Sequence, residues 1–596
     1  MNFILTVLQA VEVGKGQILA RIVPLLTALV LVGGAYDMLI YHGLNDAQSM
    51  DNAQLARQIV RKQGFTTEFI RPQAIGQIRD YRASLKDAPK SPTFFPSDQF
   101  PSGTPRIIPD TYNAPGYPYL LAGFFYLIHP TFNESVAAIA AAHMYSADQW
   151  IPVMNQVFVL LTAFLVFALG RRLFDDRVAW ISLVAFLCTD IVWKFSITGL
   201  STSFLMFLIT AVLMCALEIF CVGEECAKDE DRSFAPAWFW AFTGGLFLTA
   251  TCLTRLHLLA LLIPLFVFLQ IMPRRNFLLF FLIALMVLGA AVPWFVHLDY
   301  LCGNPLGSNS NLLLYGEGDY AGNQVFCKAS IPSNELLFRN AGTKELTGFL
   351  WHFQHAWSLL GNSPIILLFA VAGLHQFRRH RTRWFYWLVF ACAVIIIAAN
   401  NLGSAKPENV DPWNTLVILF PCMLVMGSAY FFVLLDRLHI EIRLLTNIIV
   451  ISTLILCAFP LVVSLTNGSR AIYNYPPYLP PLLKAFGQMA QPDEWVTSDM
   501  PWATAWYADR ASLWLPDSLS DFESLHDNVC PTGMLFITPV STQQPLSTFM
   551  TGEYKDWASL ILQKSPPAHF PLPEQFTPPT VPDYTVWSDI RRWQMK

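Results

Sequence analysis

Residues 44–57 read Leu-Asn-Asp-Ala-Gln-Ser-Met-Asp-Asn-Ala-Gln-Leu-Ala-Arg and directly follow the first long apolar run of the chain. The segment carries two acids, Asp46 and Asp51, at the expected edge of a membrane. Asp46 or a neighbouring Asn or Ser can cap a helix that runs to about Lys62. The apolar residues of that helix form a broad stripe, which predicts that it lies along the membrane surface.

The composition is that of a membrane protein. The 596 residues are 54% hydrophobic and only 13% charged, whereas soluble domains have about 25% charged residues. The shortage of charge predicts that much of the chain contacts membrane lipids. The net charge of −4 gives no support for a nucleic-acid partner.

Runs of mostly apolar residues predict about 11 transmembrane helices, since each crossing needs roughly 20 such residues. The predicted spans are Leu19–Tyr41, Ile151–Leu169, Ala179–Phe195, Ser201–Cys221, Ala237–Thr254, Leu256–Ile271, Phe277–Phe295, Pro364–His375, Trp384–Ala399, Thr415–Leu435 and Leu444–Leu465. With these spans, the basic clusters at 171–177, 274–275, 378–383 and 436–443 all fall on one side. The positive-inside rule then places the N-terminus inside and the C-terminus outside.

Two regions outside the spans are predicted on the outer face. Residues 42–149 form a large first outer loop, in which the apolar run Tyr117–His129 has only 13 residues and is expected to be interfacial or re-entrant. Residues 467–596 lack a membrane-length run and form the second predicted domain, after a membrane domain at 1–466.

The C-terminal region has the pattern of a small α/β domain. Strand-like segments alternate with short helical ones, which favours parallel strand pairing. The predicted strands are Trp495–Ser498, Ser512–Leu515 and Met534–Thr538, and the predicted helices begin at Trp502 and Ser520. The Pro-rich tail from Pro566 is expected to be irregular.

The two acids of the first loop have a structural and a catalytic interpretation. In the structural one, Asp46 caps a helix and Asp51 complements the dipole of its first turns. In the catalytic one, a carboxylate acts as a general base that deprotonates a hydroxyl or amine as it attacks a sugar. The residues alone leave both interpretations open.

Charged residues at the outer ends of spans form a second candidate group. Lys194, Arg255 and His257 are all predicted near the outer face, where cations can bind a phosphate. Alternatively, these side chains extend to lipid headgroups, or Lys194 pairs with Asp190.

The cysteines indicate one candidate disulfide. Cys302 and Cys327 share one predicted outer loop and can pair in an oxidising compartment. No cysteine pair has a second pair at zinc-ligand spacing, so no metal is assigned. A P-loop, a His-Glu-x-x-His zinc motif and a Gly-x-Ser-x-Gly nucleophile motif are absent from the sequence.

Four stretches in the first half of the chain carry a family resemblance. Acids precede Ala53–Arg57, and Ile70-Arg71-Pro72 follows in the same loop. The other three stretches are Ala114-Pro115-Gly116-Tyr117-Pro118, Gly170-Arg171-Arg172-Leu173-Phe174, and Gly244-Gly245 through Leu253-Thr254-Arg255. In order and spacing they resemble the membrane glycosyltransferases of family C, specifically bacterial relatives of protein O-mannosyltransferases and lipid A aminoarabinose transferases. Residues 501–510 also look like part of the outer C-terminal domain of some members.

The resemblance implies a polyprenyl-phosphate sugar as donor and an acid of the first loop as catalytic base. It also implies supporting roles for Arg57, Arg71 and Tyr117. Many members have Asp-Glu about nine residues before the arginine that matches Arg57, a register that here falls on Gln48-Ser49. Asp46 and Asp51 therefore both remain candidates. The missing Glu leaves a divalent metal unsupported, and no cofactor is predicted with certainty.

The resulting hypothesis is an inverting glycosyltransferase, a multi-pass protein of a bacterial inner membrane with its active site facing the periplasm. The acceptor class is open among lipid, glycan and protein. An alternative is a non-catalytic carrier or flippase for a lipid-linked glycan, which would use the same charges without a base. A structural membrane protein is a third possibility.

Overall fold

The computed structural model describes residue 27 and residues 29–84, 108–229, 231, 233–272, 277–308, 341–402, 415–468, 471–491, 494–516, 518–529, 531–552, 555–562, 564–567 and 569–593. Most of these residues are helical. The α-helices are α1 Leu29–Leu39, α2 Ala47–Val60, α3 Pro72–Ser84, α4 Gly116–Ile128, α5 Val136–Ala142, α6 Trp150–Leu173, α7 Asp176–Cys188, α8 Asp190–Ile197, α9 Thr202–Lys228, α10 Ala235–Thr254, α11 Leu262–Ile271, α12 Phe277–Cys302, α13 Ala341–Leu359, α14 Pro364–Ala372, α15 His380–Leu402, α16 Phe420–Arg437, α17 Arg443–Thr466, α18 Pro480–Met489, α19 Pro501–Ala503, α20 Leu519–Asn528, α21 Pro539–Thr542, α22 Leu546–Thr551 and α23 Ala558–Ile561.

The predicted polytopic helical fold is confirmed. Within the described ranges, seven helices are long and apolar enough to cross a membrane, and α7 with α8 forms an eighth if this pair, bent by 53°, is one span. Each of the eleven predicted spans overlaps a helix, although only the second half of the first span is described. The protein is a multi-pass membrane protein.

Two of the predicted basic clusters lie together at one end of the described bundle. Arg172 donates two hydrogen bonds to Glu218, at 2.7 and 2.9 Å. From the 378–383 cluster, Arg379 donates to the Leu173 carbonyl at 3.3 Å. Two of the four predicted clusters therefore meet directly, as the positive-inside assignment requires, whereas residues 274–275 lie outside the described part of the chain.

The opposite end carries the head, a name used here for the described residues of 41–149 and 467–593. Its strands are β1 Thr66–Thr67, β2 Phe69–Ile70, β3 Ile108–Pro109, β4 Trp495–Ser498, β5 Ser512–Trp514, β6 Thr532–Ile537, β7 Glu574–Phe576 and β8 Thr585–Ser588. Six of these strands form one sheet in the order β2-β5-β4-β6-β8-β7. The strands from β2 to β6 are parallel, and β8 and β7 add antiparallel pairs, which confirms the predicted α/β character.

The first loop is built into this sheet. Its strand β2 forms the sheet edge by pairing with β5, more than 440 residues later. Arg57, completely buried, donates to the Ala505 and Trp506 carbonyls at 2.6 and 2.7 Å and pairs with Glu68 at 2.6 Å. These carbonyls belong to a π-helical turn, Thr504–Ala508, so Arg57 satisfies acceptors that the end of a helix leaves open. The loop and the C-terminal region therefore form one packed head.

The structure adds elements that the sequence pattern did not predict, among them β7, β8 and α13. The tail expected to be irregular contains β7 and β8, which extend the sheet beyond β6. The helix α13 contacts α15 and lies outside every predicted span. The short apolar run of the first loop is α4, only 13 residues long, as a non-spanning segment would be.

Candidate functional site

Asp46 lies at the start of α2. Its Oδ1 accepts hydrogen bonds from the backbone N–H groups of Gln48 at 2.8 Å and Ser49 at 3.2 Å, so the predicted helix cap is present. The side chain is partly exposed, and its Oδ2 accepts no hydrogen bond from the residues that the structure describes. One carboxylate oxygen is therefore committed to the helix, and the other is left for a ligand.

Arg255 is a basic residue whose charge acts on Asp46. It follows the last residue of α10, and its Nη1 donates to Thr415 Oγ1 at 2.7 Å. Burial raises the pKa of the Asp46 carboxyl, while the two backbone N–H groups and the positive charge of Arg255 lower it. The carboxylate and the guanidinium therefore act on each other across the gap between α2 and α10.

A close helix contact brings Arg255 to the first loop. Gly116, the first residue of α4, lies against the last turn of α10, where a Cβ would come within 2.6 Å of Thr254 Oγ1 and 2.8 Å of Thr254 N. Only glycine fits such an approach. The Ala-Pro-Gly-Tyr-Pro and Leu-Thr-Arg motifs are therefore packed directly together.

Tyr478 is the residue of the head whose side chain senses the charge of Asp46. Burial raises the pKa of the Tyr478 hydroxyl, and the negative charge of Asp46 raises it further. Trp502 Nε1 donates to Tyr478 Oη at 2.9 Å, which ties this tyrosine to the turn after β4. The site therefore combines groups from α2, α10 and the head.

Asp51 is in a different environment. It is completely buried, and its Oδ2 accepts from Arg71 Nη2 at 2.6 Å and from Asn113 Nδ2 at 2.8 Å. Its Oδ1 accepts from Gln54 Nε2 at 2.9 Å. The Arg71 guanidinium lies 3.9 Å from the ring centres of both Phe69 and Tyr112. Both oxygens of Asp51 are occupied, so this acid holds the loop together.

The Asp51 network reaches Asp46 indirectly. Asn113 also donates to Asp110 Oδ2 at 2.7 Å and accepts from Gln48 Nε2 at 2.7 Å. Gln48 in turn donates its backbone N–H to Asp46. Burial and the charge of Asp51 raise the pKa of the Asp110 carboxyl, and Arg71 opposes both. The buried network thus orients the first turn of α2, which Asp46 caps.

The other predicted site residues are less closely grouped. His257 lies two residues after Arg255 and is half-buried, whereas Lys194 is exposed on α8. Asp190 accepts from Tyr36 Oη at 2.9 Å, and the described ion pairs do not include one with Lys194. Tyr117 is buried and donates to Asn155 Oδ1 at 3.2 Å.

Cys302 is one half of the predicted disulfide. Cys302 is buried with its thiol 3.2 Å from the Leu298 carbonyl, and its predicted partner Cys327 lies outside the described residues. The disulfide therefore stays a prediction. In the part of the chain that is described, no three His, Cys, Asp or Glu side chains group into a metal site.

The sequence did not single out Tyr478, Thr415 or Asn113. Asn113 directly precedes the Ala-Pro-Gly-Tyr-Pro motif, which is a local signal for it. Thr415 and Tyr478 are hundreds of residues from Asp46 in the sequence, and only the folded chain brings them to the site.

Comparison with known proteins identifies the fold. No protein-family profile and no curated protein matches the sequence significantly. The structure is similar to ArnT from Cupriavidus metallidurans, at 13% identity over 96% of this chain and 98% of that one, with TM-scores of 0.52 for the undecaprenyl phosphate complex and 0.53 for the apo state. A more distant similarity, TM-score 0.48 at 10% identity, covers 90% of this chain and 70% of the archaeal oligosaccharyltransferase AglB from Archaeoglobus fulgidus. The chain has the fold of the family C glycosyltransferases, as the resemblance predicted.

Proposed function

We propose that this protein is a membrane glycosyltransferase that moves a sugar from a polyprenyl-phosphate donor to an acceptor, with Asp46 as general base. The observations that carry the proposal are the Asp46 oxygen that accepts nothing from the described protein and the charge of Arg255, which acts on this carboxylate, both on the fold shared with ArnT. That ArnT was solved with undecaprenyl phosphate supports a lipid phosphate as the donor group.

The chemistry follows from the two charges. A carboxylate that reaches the acceptor hydroxyl or amine at about 3 Å accepts its proton as the anomeric carbon is attacked. The leaving lipid phosphate gains negative charge, which a guanidinium stabilises. Attack by the acceptor on the face opposite the phosphate inverts the configuration of the sugar. We therefore assign the donor phosphate to Arg255 first, with His257 and Lys194 as secondary candidates.

Asp46 is preferred over Asp51 on geometric grounds. Each oxygen of Asp51 already accepts from a buried side chain, and Arg71 neutralises its charge. A base in that state would have to break a buried ion pair for every proton it accepts. Asp46 needs only its unbonded Oδ2, and the helix cap keeps its other oxygen fixed.

The proposed orientation places the head outside the membrane. The basic clusters at 171–177 and 378–383 meet at the end of the bundle opposite the head, which supports a head on the outer face of a bacterial inner membrane. The acceptor stays open among lipid, glycan and protein. We retain 467–596 as the second domain, with β2 of the first loop contributing to its sheet.

The test compares Asp46→Asn with Asp51→Asn in membranes supplied with a panel of polyprenyl-phosphate-linked sugars. General-base catalysis contributes about 10²–10⁴-fold, so we expect at least a hundredfold slower transfer for Asp46→Asn. Asp51→Asn should slow transfer per folded protein by much less than Asp46→Asn, because Asp51 only helps to orient the turn that Asp46 caps. Equal activity of wild type and Asp46→Asn would reject the assigned base. If lipid crosses the bilayer without any sugar transfer, the protein is a carrier.

A further inference from the structure

Asp148 is a buried acid outside the groups considered so far. It lies in the loop that leads into α6 and is completely buried. Its Oδ1 accepts from Trp506 Nε1 and its Oδ2 from Tyr507 Oη, both at 2.8 Å. Both donors belong to the π-helical turn of the head that Arg57 also holds. Asp148 is therefore anchored to the C-terminal region.

The same residue contacts the base segment, defined here as residues 41–46. The Leu44 backbone N–H faces the Asp148 carboxylate and lowers its pKa, and Tyr41 Oη donates to the Asp148 carbonyl at 2.8 Å. Gly43 has φ +99°, and a Cβ there would lie 3.2 Å from Asp148 Oδ2. Asp148 thus holds the chain two residues before Asp46 by direct contact.

A second residue of the head holds the other side of this segment. Asn474 Nδ2 donates to the Gly43 carbonyl at 2.9 Å. The peptide from Gly43 to Leu44 is therefore bonded to Asn474 through its carbonyl, and its N–H faces the Asp148 carboxylate. In the described structure, both contacts come from residues outside α2.

We propose that Asp148 is a positioning residue, which transmits the position of the head sheet to the base segment and so sets where the Asp46 carboxylate points. The inference rests on the proposed function, in which Asp46 is the base. Asp148 itself touches no reacting atom. Its effect on transfer arises because a displacement of about 1 Å at a catalytic group can cost 10²-fold in rate.

The hydrogen-bond pattern makes this contact sensitive to protonation. Trp506 and Tyr507 donate to the two oxygens of Asp148, so the ionised carboxylate satisfies both donors, whereas a protonated acid must donate once itself. The pKa of Asp148 is raised to about 7, mainly by burial. The charge of Glu134 also raises it, and the hydrogen-bond donors lower it. The other titratable groups that face it are Tyr41, Tyr145 and Tyr507. The attraction between the Asp148 carboxylate and the Leu44 N–H therefore weakens as the pH falls below about 7.

The experiment compares Asp148→Asn with Asp499→Asn in the full chain. Asp499 is a matched control, because it is equally buried in the head and accepts from the Thr538 N–H, Thr538 Oγ1 and Ser541 Oγ without touching the base segment. Three quantities are measured: hydrogen exchange of the peptide that contains residues 43–46, transfer rate from pH 5 to 9, and affinity for undecaprenyl phosphate.

For Asp148→Asn we expect faster exchange at residues 43–46 and a kcat about ten- to a hundredfold lower. The activity loss below pH 7 should become smaller, because only the protonation of Asp46 still contributes to it, and undecaprenyl phosphate affinity should stay within about twofold. Tyr507→Phe, which removes one donor and keeps the ring, should shift exchange in the same direction by less. Asp499→Asn should leave all three quantities at wild-type values.

Unchanged exchange and kcat in Asp148→Asn would overturn the inference, as would equal effects of Asp148→Asn and Asp499→Asn. Failure of the base assignment is distinguishable from these results. If Asp46→Asn transfers sugar at the wild-type rate, Asp46 is not the base, whereas the exchange of residues 43–46 still decides whether Asp148 holds the segment.

Discussion

Arg71 donates to Asp51 across 2.6 Å, and both side chains are buried. This contact separates the two acids of the first loop, since Asp51 is committed to an ion pair and Asp46 keeps one oxygen unbonded by the described residues. A buried pair contributes little net stability, but removing one partner leaves an uncompensated charge inside the protein. The pair therefore explains why Asp51, an acid close to the candidate site, is structural.

Asp51→Asn is expected to destabilise the head strongly. The Arg71 guanidinium would stay buried without its anion, at a cost of about 3–5 kcal/mol. Thermal unfolding in detergent measures the effect as a lower Tm. The control is Asp176→Asn, because Asp176 pairs with Arg171 at 3.1 Å on the exposed surface, where a pair is worth about 0–1 kcal/mol. Equal Tm shifts in both variants would contradict the assignment.

Arg255→Ala is expected to weaken binding of undecaprenyl phosphate. A hydrogen bond to a charged group contributes about 1.5–3 kcal/mol, which corresponds to a roughly 10–100-fold loss of affinity. Thr415→Val, which removes the hydroxyl that accepts from Arg255, should have a smaller effect in the same direction. Arg177→Ala, exposed at the opposite end of the bundle, serves as control. Unchanged affinity in Arg255→Ala would exclude it as the phosphate ligand.

Asp499 makes the stability of the head depend on pH. Burial raises the pKa of this carboxyl to about 6, above the unfolded value of about 3.9. The folded state therefore binds the proton more tightly, so its stabilising contribution is complete below about pH 4 and is lost as pH rises through 6. The loss amounts to about 3 kcal/mol.

Asp499→Asn removes this dependence. The Tm difference, variant minus wild type, should therefore become more positive between pH 5 and pH 8. Recording both proteins at each pH cancels the contribution of every other titrating group. A constant or falling difference would show that Asp499 titrates normally.

Arg57→Lys is expected to loosen the first loop from the C-terminal region. Lysine cannot reproduce the planar fork with which Arg57 reaches the Ala505 and Trp506 carbonyls and Glu68 at once. Limited proteolysis and hydrogen exchange at residues 504–508 should both increase. Arg592→Lys is the matched control, since Arg592 is nearly as buried but pairs with Glu494 beside the sheet. Protection at 504–508 that survives Arg57→Lys would contradict the role of Arg57.

Much of the fold was predictable because its signals are local. Apolar length predicted the spans, and the alternation of strands and helices after residue 494 predicted the parallel part of the sheet. The β7–β8 pair was missed because prolines near these short strands favour irregular structure and only pairing with β6 stabilises them. The edge strand β2 has only two residues and cannot be recognised without its partner.

The candidate site was predictable only as a set of alternatives. Its residue type made Asp46 a candidate helix cap. In the structure Asp46 caps α2 through Oδ1, while Oδ2 accepts no hydrogen bond from the described residues. Asp51 could not be excluded from the sequence, because its partners Arg71 and Asn113 come from 20 and 62 residues away. Asp148 carried no signal beyond its position before a span, since its partners Trp506 and Tyr507 are more than 350 residues distant.

The central claim, that Asp46 is the general base, is tested most directly by chemical rescue of Asp46→Ser. Serine retains an N-cap for α2 and removes the carboxylate, so the fold is expected to persist. The measurement is the rate of sugar transfer per folded protein, without and with added formate. If Asp46 is the base, the transfer rate of Asp46→Ser is at least about a hundredfold below that of wild type. Added formate then raises the rate of the variant at least about tenfold and leaves the wild-type rate unchanged. A rate for Asp46→Ser within about twofold of wild type in the absence of formate would contradict it.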